Sequence, residues 1–116
     1  MPNGLQAVLK GITSRRMRPT RKAVVQWLHQ LGFASPDVAL NEITLLSAAN
    51  QLAQFREECA RFEKKYRMSL AQLERQLKQR RGQESFALEE DLMAWQFAHD
   101  GVEYWAPRVE ELRRAV

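Results

Sequence analysis

The residues with chemistry to offer are two histidines, one cysteine and a short acidic run. His29 and His99 stand far apart in the chain, and neither has a cysteine, serine or carboxylate at a catalytic spacing. His29 reads as a helix-surface residue, and His99 beside Asp100 has no better claim. Glu89, Glu90 and Asp91 are consecutive, and consecutive helical side chains diverge by about 100°, so they cannot converge on one ion. They suit the solvated first turn of a helix, where the macrodipole favours negative charge. There is no Gly-rich phosphate loop and no Cys/His metal spacing. The expectation is a protein without catalysis, metal or cofactor that acts by gripping another macromolecule.

Such a grip depends on where charge lies. The net charge of +4 conceals a sorting along the sequence. Residues 1–36 carry Lys10, Arg15, Arg16, Arg18, Arg21 and Lys22 with no acid, a balance of +6. Residues 67–81 hold five basic side chains against Glu74, a balance of +4. Residues 82–106 reverse the sign, with Glu84, Glu89, Glu90, Asp91, Asp100 and Glu103 unopposed, a balance of −6. A polyanion suits one end and a basic surface the other. Cys59, the only cysteine, excludes an intramolecular disulfide framework and suits a reducing compartment. No stretch approaches the roughly 20 apolar residues of a membrane span, and the N-terminus lacks an apolar leader core, so a cytoplasmic location is expected.

The elements that must position these charges are helices, since strand alternation appears nowhere. At 116 residues and 45% hydrophobic content the chain suits one modest core: a basic arm over 1–18, then a single helical domain over 19–116. Thr20 caps a helix with Ala23, Val24, Trp27, Leu28 and Leu31 on one face, and Gly32 stops it. Ser35 and Pro36 open the central element, a long heptad-patterned helix. With a at Val38, Leu45, Leu52, Cys59 and Tyr66, position d takes Asn41, Ala48, Phe55 and Phe62, leaving Asn41 as the lone polar seam residue. A second stripe of Ala39, Ile43, Leu46, Ala49 and Ala53 predicts burial of two faces in the N-terminal half, the preceding helix packing there. From Phe55 onward a single seam remains, which predicts an exposed lever. Ser69 and Gln72 form a capping box for a short helix through Leu70, Leu73 and Leu77 that frays into Lys78, Arg80 and Arg81. Another opens near Ser85 with Leu88, Leu92, Trp95, Ala98 and Val102 on one face, and Pro107 starts a last short one.

Two surfaces follow. Leu52, Phe55, Cys59, Phe62 and Tyr66 form a dimerisation seam. A parallel pair would set Glu58 against Glu63, whereas an antiparallel homodimer lets Glu58 meet Lys65 and Arg56 meet Glu63. The same seam equally accepts the chain's own C-terminal helix. The acidic segment combines its carboxylates with Phe86, Trp95, Phe97, Tyr104 and Trp105, and aromatics are favoured anchors in desolvated interfaces. If Trp95 faces inward with Leu92, then Phe97, Tyr104 and Trp105 cannot all share its face.

The block Glu63 to Leu73, EKKYRMSLAQL, followed by Asp91 to Phe97, DLMAWQF, resembles small helical antitoxin-like proteins of prokaryotic toxin–antitoxin loci. The likeness covers about residues 43–106, leaves the basic arm outside, and departs where the family pattern has glycine and this chain has Arg67. The resemblance implies neutralisation of a cognate protein toxin, with repression of the shared operon as a second task. On that reading Asp91, Trp95, Phe97, Tyr104 and Trp105 contact the toxin, and Arg15, Arg16, Arg18, Arg21 and Lys22 touch DNA. Two alternatives stay open: a nucleic-acid-binding module working through the arm, and a structural coiled-coil adaptor. Trp27 to Ile43 loosely imitates a helix-turn-helix, but its second helix would bring Asp37 and Glu42 to the groove and no basic residue before Arg56.

Overall fold

A computed structural model describes residues 18–79 and 85–115. The chain divides into two compact units, Met1–Ala39 and Leu40–Val116. Four helices and no strand occur among the described residues: α1 (Arg21–Gln30), α2 (Pro36–Tyr66), α3 (Leu70–Gln79) and α4 (Phe86–Ala115). The all-α architecture around a long central helix is therefore present. Most of the arm expected over 1–18 lies outside the described residues, as do Arg80, Arg81 and Glu84.

In the first unit, Thr20 Oγ1 accepts the Ala23 N–H at 3.1 Å and starts α1. The N–H groups of Gly32 and Phe33 turn back onto the carbonyls of His29 and Leu28, both at 3.0 Å, and close its end. Gly32 has φ +98°, a left-handed value that carries no steric penalty without a Cβ. Val24, Trp27 and Leu31 on α1 are exposed. Ser35 Oγ then accepts the Val38 N–H at 3.2 Å, with Pro36 in the first turn of α2.

In the second unit, α2 from Leu40 onward and the 30-residue α4 are the two long elements. Their contact face holds two apolar clusters. Ala48 and Leu52 of α2 meet Val109 of α4, flanked by Leu45, Ala49, Val102, Trp105, Ala106 and Leu112. Farther along, Phe62 meets Trp95 and Leu73, flanked by Cys59, Tyr66, Leu70, Leu77, Leu88 and Leu92. Between them Gly101 takes the Phe55 ring: a Cβ there would lie 2.5 Å from Cγ of Phe55. The absence of a side chain on Gly101 is what lets α2 approach α4 at this point.

Three expectations need correction. The seam from Phe55 to Tyr66 is no exposed lever, because α3 and α4 of the same chain cover it, burying Leu52 and Phe62 to 5% and 4% exposure. An aromatic-rich a/d seam states that something packs on it, not whose helix does. Second, the stripe of Ala39, Ile43, Leu46, Ala49 and Ala53 is covered only in part: Ala39 is buried and Ala49 packs on the Ala48 cluster, while Ile43 and Leu46 are 50% and 73% exposed and Ala53 is exposed too. Third, Pro107 starts no new helix but sits inside α4. It removes one backbone donor, yet Trp105, Ala106, Val109 and Leu112 around it pack on the core and hold both sides in one helix.

The break after α2 is made by Arg67, at φ 55°. Ser69 and Gln72 then form the expected capping box, with Gln72 N–H on Ser69 Oγ at 3.2 Å and Ser69 N–H on Gln72 Oε1 at 2.8 Å. Ser85 caps α4 through the Leu88 N–H at 3.1 Å. Among the described residues, no helix is long and apolar enough to cross a membrane.

Candidate partner-binding surface

One face of α4 is committed to the core through Leu88, Leu92, Trp95, Ala98, Val102 and Val109. At 100° per residue, Phe86, Met93, Phe97 and Tyr104 lie within about 20° of a single line on the opposite face. They are 76%, 70%, 69% and 51% exposed. Glu89, Glu90 and Asp100, all exposed, border this line, the exposed Glu111 continues it, and Arg108 is the one cation beside it. The result is an apolar, aromatic ridge with acidic margins on a helix fixed by its other side.

Aromatic contacts stiffen the ridge. The Phe97 ring meets Phe55 edge-on at 5.7 Å. Tyr104 stands at 84° to Trp105, 5.0 Å away, and carries the Arg108 guanidinium 3.6 Å above its ring. Arg108 also donates to the Tyr104 carbonyl at 2.6 Å, so the cation is tied to its own helix. Beside Tyr104 lies a hollow of about 340 Å³ between Thr44 of α2 and Trp105, Arg108 and Leu112 of α4. It has room for an apolar side chain of a partner.

The five residues expected to contact a toxin separate into two groups. Trp95 is 1% exposed, stacked at 5.7 Å on Phe62 and 6.1 Å on Tyr66, and is core. Asp91 accepts hydrogen bonds from Lys65 and the Tyr66 hydroxyl, so it ties α4 to the end of α2. These two donors hold its carboxyl below the usual carboxylate range. Trp105 is half-buried against the Ala48 cluster. Phe97 and Tyr104 alone of the five are largely open to a partner. Phe86 and Met93 complete the ridge, and their spacing from Phe97 and Tyr104 was the signal that could have found them.

The residues expected to pair two chains are engaged within one. Leu52 and Phe62 are buried, Cys59 and Tyr66 flank the Trp95 cluster, and Phe55 lies on Gly101. Of the basic residues assigned to DNA, Arg15 and Arg16 lie outside the described residues; Arg18, Arg21 and Lys22 are exposed at the start of α1. Cys59 and His99 line a common hollow with Glu63. Burial first, then Glu63 and Glu58, raise the thiol's pKa, which opposes a nucleophilic thiolate. No group of three His, Cys, Asp or Glu side chains is placed to hold a metal ion among the described residues. The chain matches no family model, no curated protein and no solved structure.

Proposed function

We propose that this protein is an antitoxin-like binding protein that neutralises a cognate basic protein toxin through the outward ridge of α4. The observation that carries the reading is the alignment of Phe86, Met93, Phe97 and Tyr104 opposite the core, bordered by carboxylates. Large exposed apolar side chains in one line are unfavourable in water unless a partner covers them. Acidic margins select a basic partner and speed its approach, while the aromatic centre supplies the affinity. A toxin that acts on RNA needs a basic surface of its own, and the ridge is shaped to occupy one. Self-pairing through the α2 seam is not part of this proposal, because those side chains are already covered.

The test is co-expression with the neighbouring gene, followed by co-purification and growth rescue. Phe97→Ser combined with Tyr104→Ser leaves the helical circular dichroism unchanged, weakens the complex at least about 100-fold as loss of two anchors implies, and abolishes rescue. Retained binding by this variant, or no complex with the wild-type chain, would overturn the proposal.

A further inference from the structure

A different surface, independent of the α4 ridge, lies at the turn between α2 and α3. A hollow of about 450 Å³ is lined by Arg67, Met68, Gln72, Arg75, Gln76 and Gln79. On α3, Gln72, Arg75, Gln76 and Gln79 share one face, opposite Leu70, Leu73 and Leu77, which pack on the core. Glu74, the one acid of α3, points about 160° away from Gln72. No carboxylate lines the hollow. Gln72 Oε1 is already taken by the Ser69 N–H, so the group Gln72 has left to present is its amide NH2. Arg67, Arg75 and the Gln72 amide therefore offer donors, and the Gln72 side of the hollow lies at the positive end of the α3 dipole.

Arg67 supplies the second observation. Among the described residues it is the only non-glycine with positive φ, at 55°. This is the helix-ending position where glycine is free of penalty and a side chain is not. A residue held in disfavoured backbone at a surface is a pointer to a task for its side chain, and this side chain lines the hollow with a second guanidinium.

We infer that this hollow binds the phosphodiester backbone of a nucleic acid. Two guanidinium groups match phosphate oxygens, Arg75 through its Nη atoms because its Nε donates to the Ala71 carbonyl at 3.4 Å, and glutamine amides reach phosphate, sugar and base edges. A lipid surface fits less well, because Met68 is the one apolar lining residue and it is half-buried against the Trp95 cluster, leaving no side chain to insert. A protein partner would want aromatic anchors, and the lining has none.

The experiment is fluorescence anisotropy of the full chain with labelled single-stranded RNA, single-stranded DNA and duplex DNA of equal length, across a salt series. Arg67→Gly with Arg75→Gln weakens binding of the preferred strand about tenfold or more and lowers the salt slope by about one to two. Arg113→Gln with Arg114→Gln, on the far end of α4, changes neither. Arg67→Gly alone melts at the same or a higher temperature, since glycine relieves the backbone, so lost binding is not lost folding. The inference is overturned if no nucleic acid binds or if only neutralising Arg15, Arg16 and Arg18 weakens binding. A drop in melting temperature with Arg67→Gly, or preferential capture by phosphatidylserine vesicles, would overturn it as well.

Discussion

Replacing Gly101 with alanine tests the packing of α2 on α4 at one atom. In an ordinary helix interior the change gains about 1 kcal/mol of helix propensity. Here the new methyl would lie 2.5, 2.6 and 2.7 Å from three ring carbons of Phe55, where carbon atoms rest at about 3.5–4.0 Å. The atoms met are the ring's attachment carbon and its neighbours, so the ring cannot simply swing its tip away. Overpacking of this kind costs about 1–3 kcal/mol, and the net expectation is a loss of about 1 kcal/mol. For a domain near this size that lowers Tm by about 5 °C. Phe55→Ala alone loses about 2 kcal/mol, less than for a fully buried ring because Phe55 is half-exposed. In that background Gly101→Ala should become stabilising by about 1 kcal/mol, a coupling of about 2 kcal/mol between the two sites. Urea titrations followed by circular dichroism measure all four corners. If Gly101→Ala stabilises both backgrounds equally, Phe55 does not rest on Gly101 and the account of the close approach is wrong.

Trp95→Ala should cost about 3–5 kcal/mol, since it empties a fully buried site stacked on Phe62 and Tyr66; a loss under 1 kcal/mol by urea titration would place Trp95 on the surface. Pro107→Ala should stabilise the chain by about 2 kcal/mol, as a restored backbone donor and better propensity outweigh proline's restriction of the unfolded chain; an unchanged or lower urea midpoint would deny it an interior helical position. Asp91 has a lowered folded-state pKa, so its contribution is complete above the unfolded value near 3.9 and fades as pH falls through the lower folded value. The difference in urea midpoint between wild type and Asp91→Asn should therefore hold steady from about pH 7 to 5 and shrink below about pH 4, and a difference that ignores pH would contradict the assignment.

The heptad seam was legible because period carries burial: Ala48, Leu52 and Phe62 lie at the predicted inward positions and are buried. Caps were legible for a local reason, each depending on residues within three positions, as at Thr20, Ser35, Ser69 and Ser85. What covers the seam was not legible, because the answer lies in residues 95–109, far along the sequence. Pro107 misled because a proline suited to a first turn is also tolerated where tertiary contacts clamp both sides. Ile43 and Leu46 misled because apolar spacing alone does not distinguish a covered face from an open one. At the candidate site, composition drew the eye to Trp95, and its place in the inward register with Leu88 and Leu92 outweighed its aromatic character. The ridge needed a second periodicity on the same helix, Phe86, Met93, Phe97 and Tyr104, all of which lie before Pro107 and opposite the stripe that Leu88, Leu92 and Trp95 define.

The division of the core into two clusters has a consequence for how the molecule breathes. The Trp95 cluster buries two large aromatics and Leu73 and spans α2, α3 and α4, whereas the other buries Ala48, Leu52 and Val109 between two helices. Opening the second exposes less apolar surface, so amide hydrogens near Ala48 and Val109 should exchange through a partial opening of lower free energy than those around Phe62 and Trp95. Slow exchange would thus concentrate at the α3 end of the long helix pair, with Gly101 marking the boundary between two cooperative units.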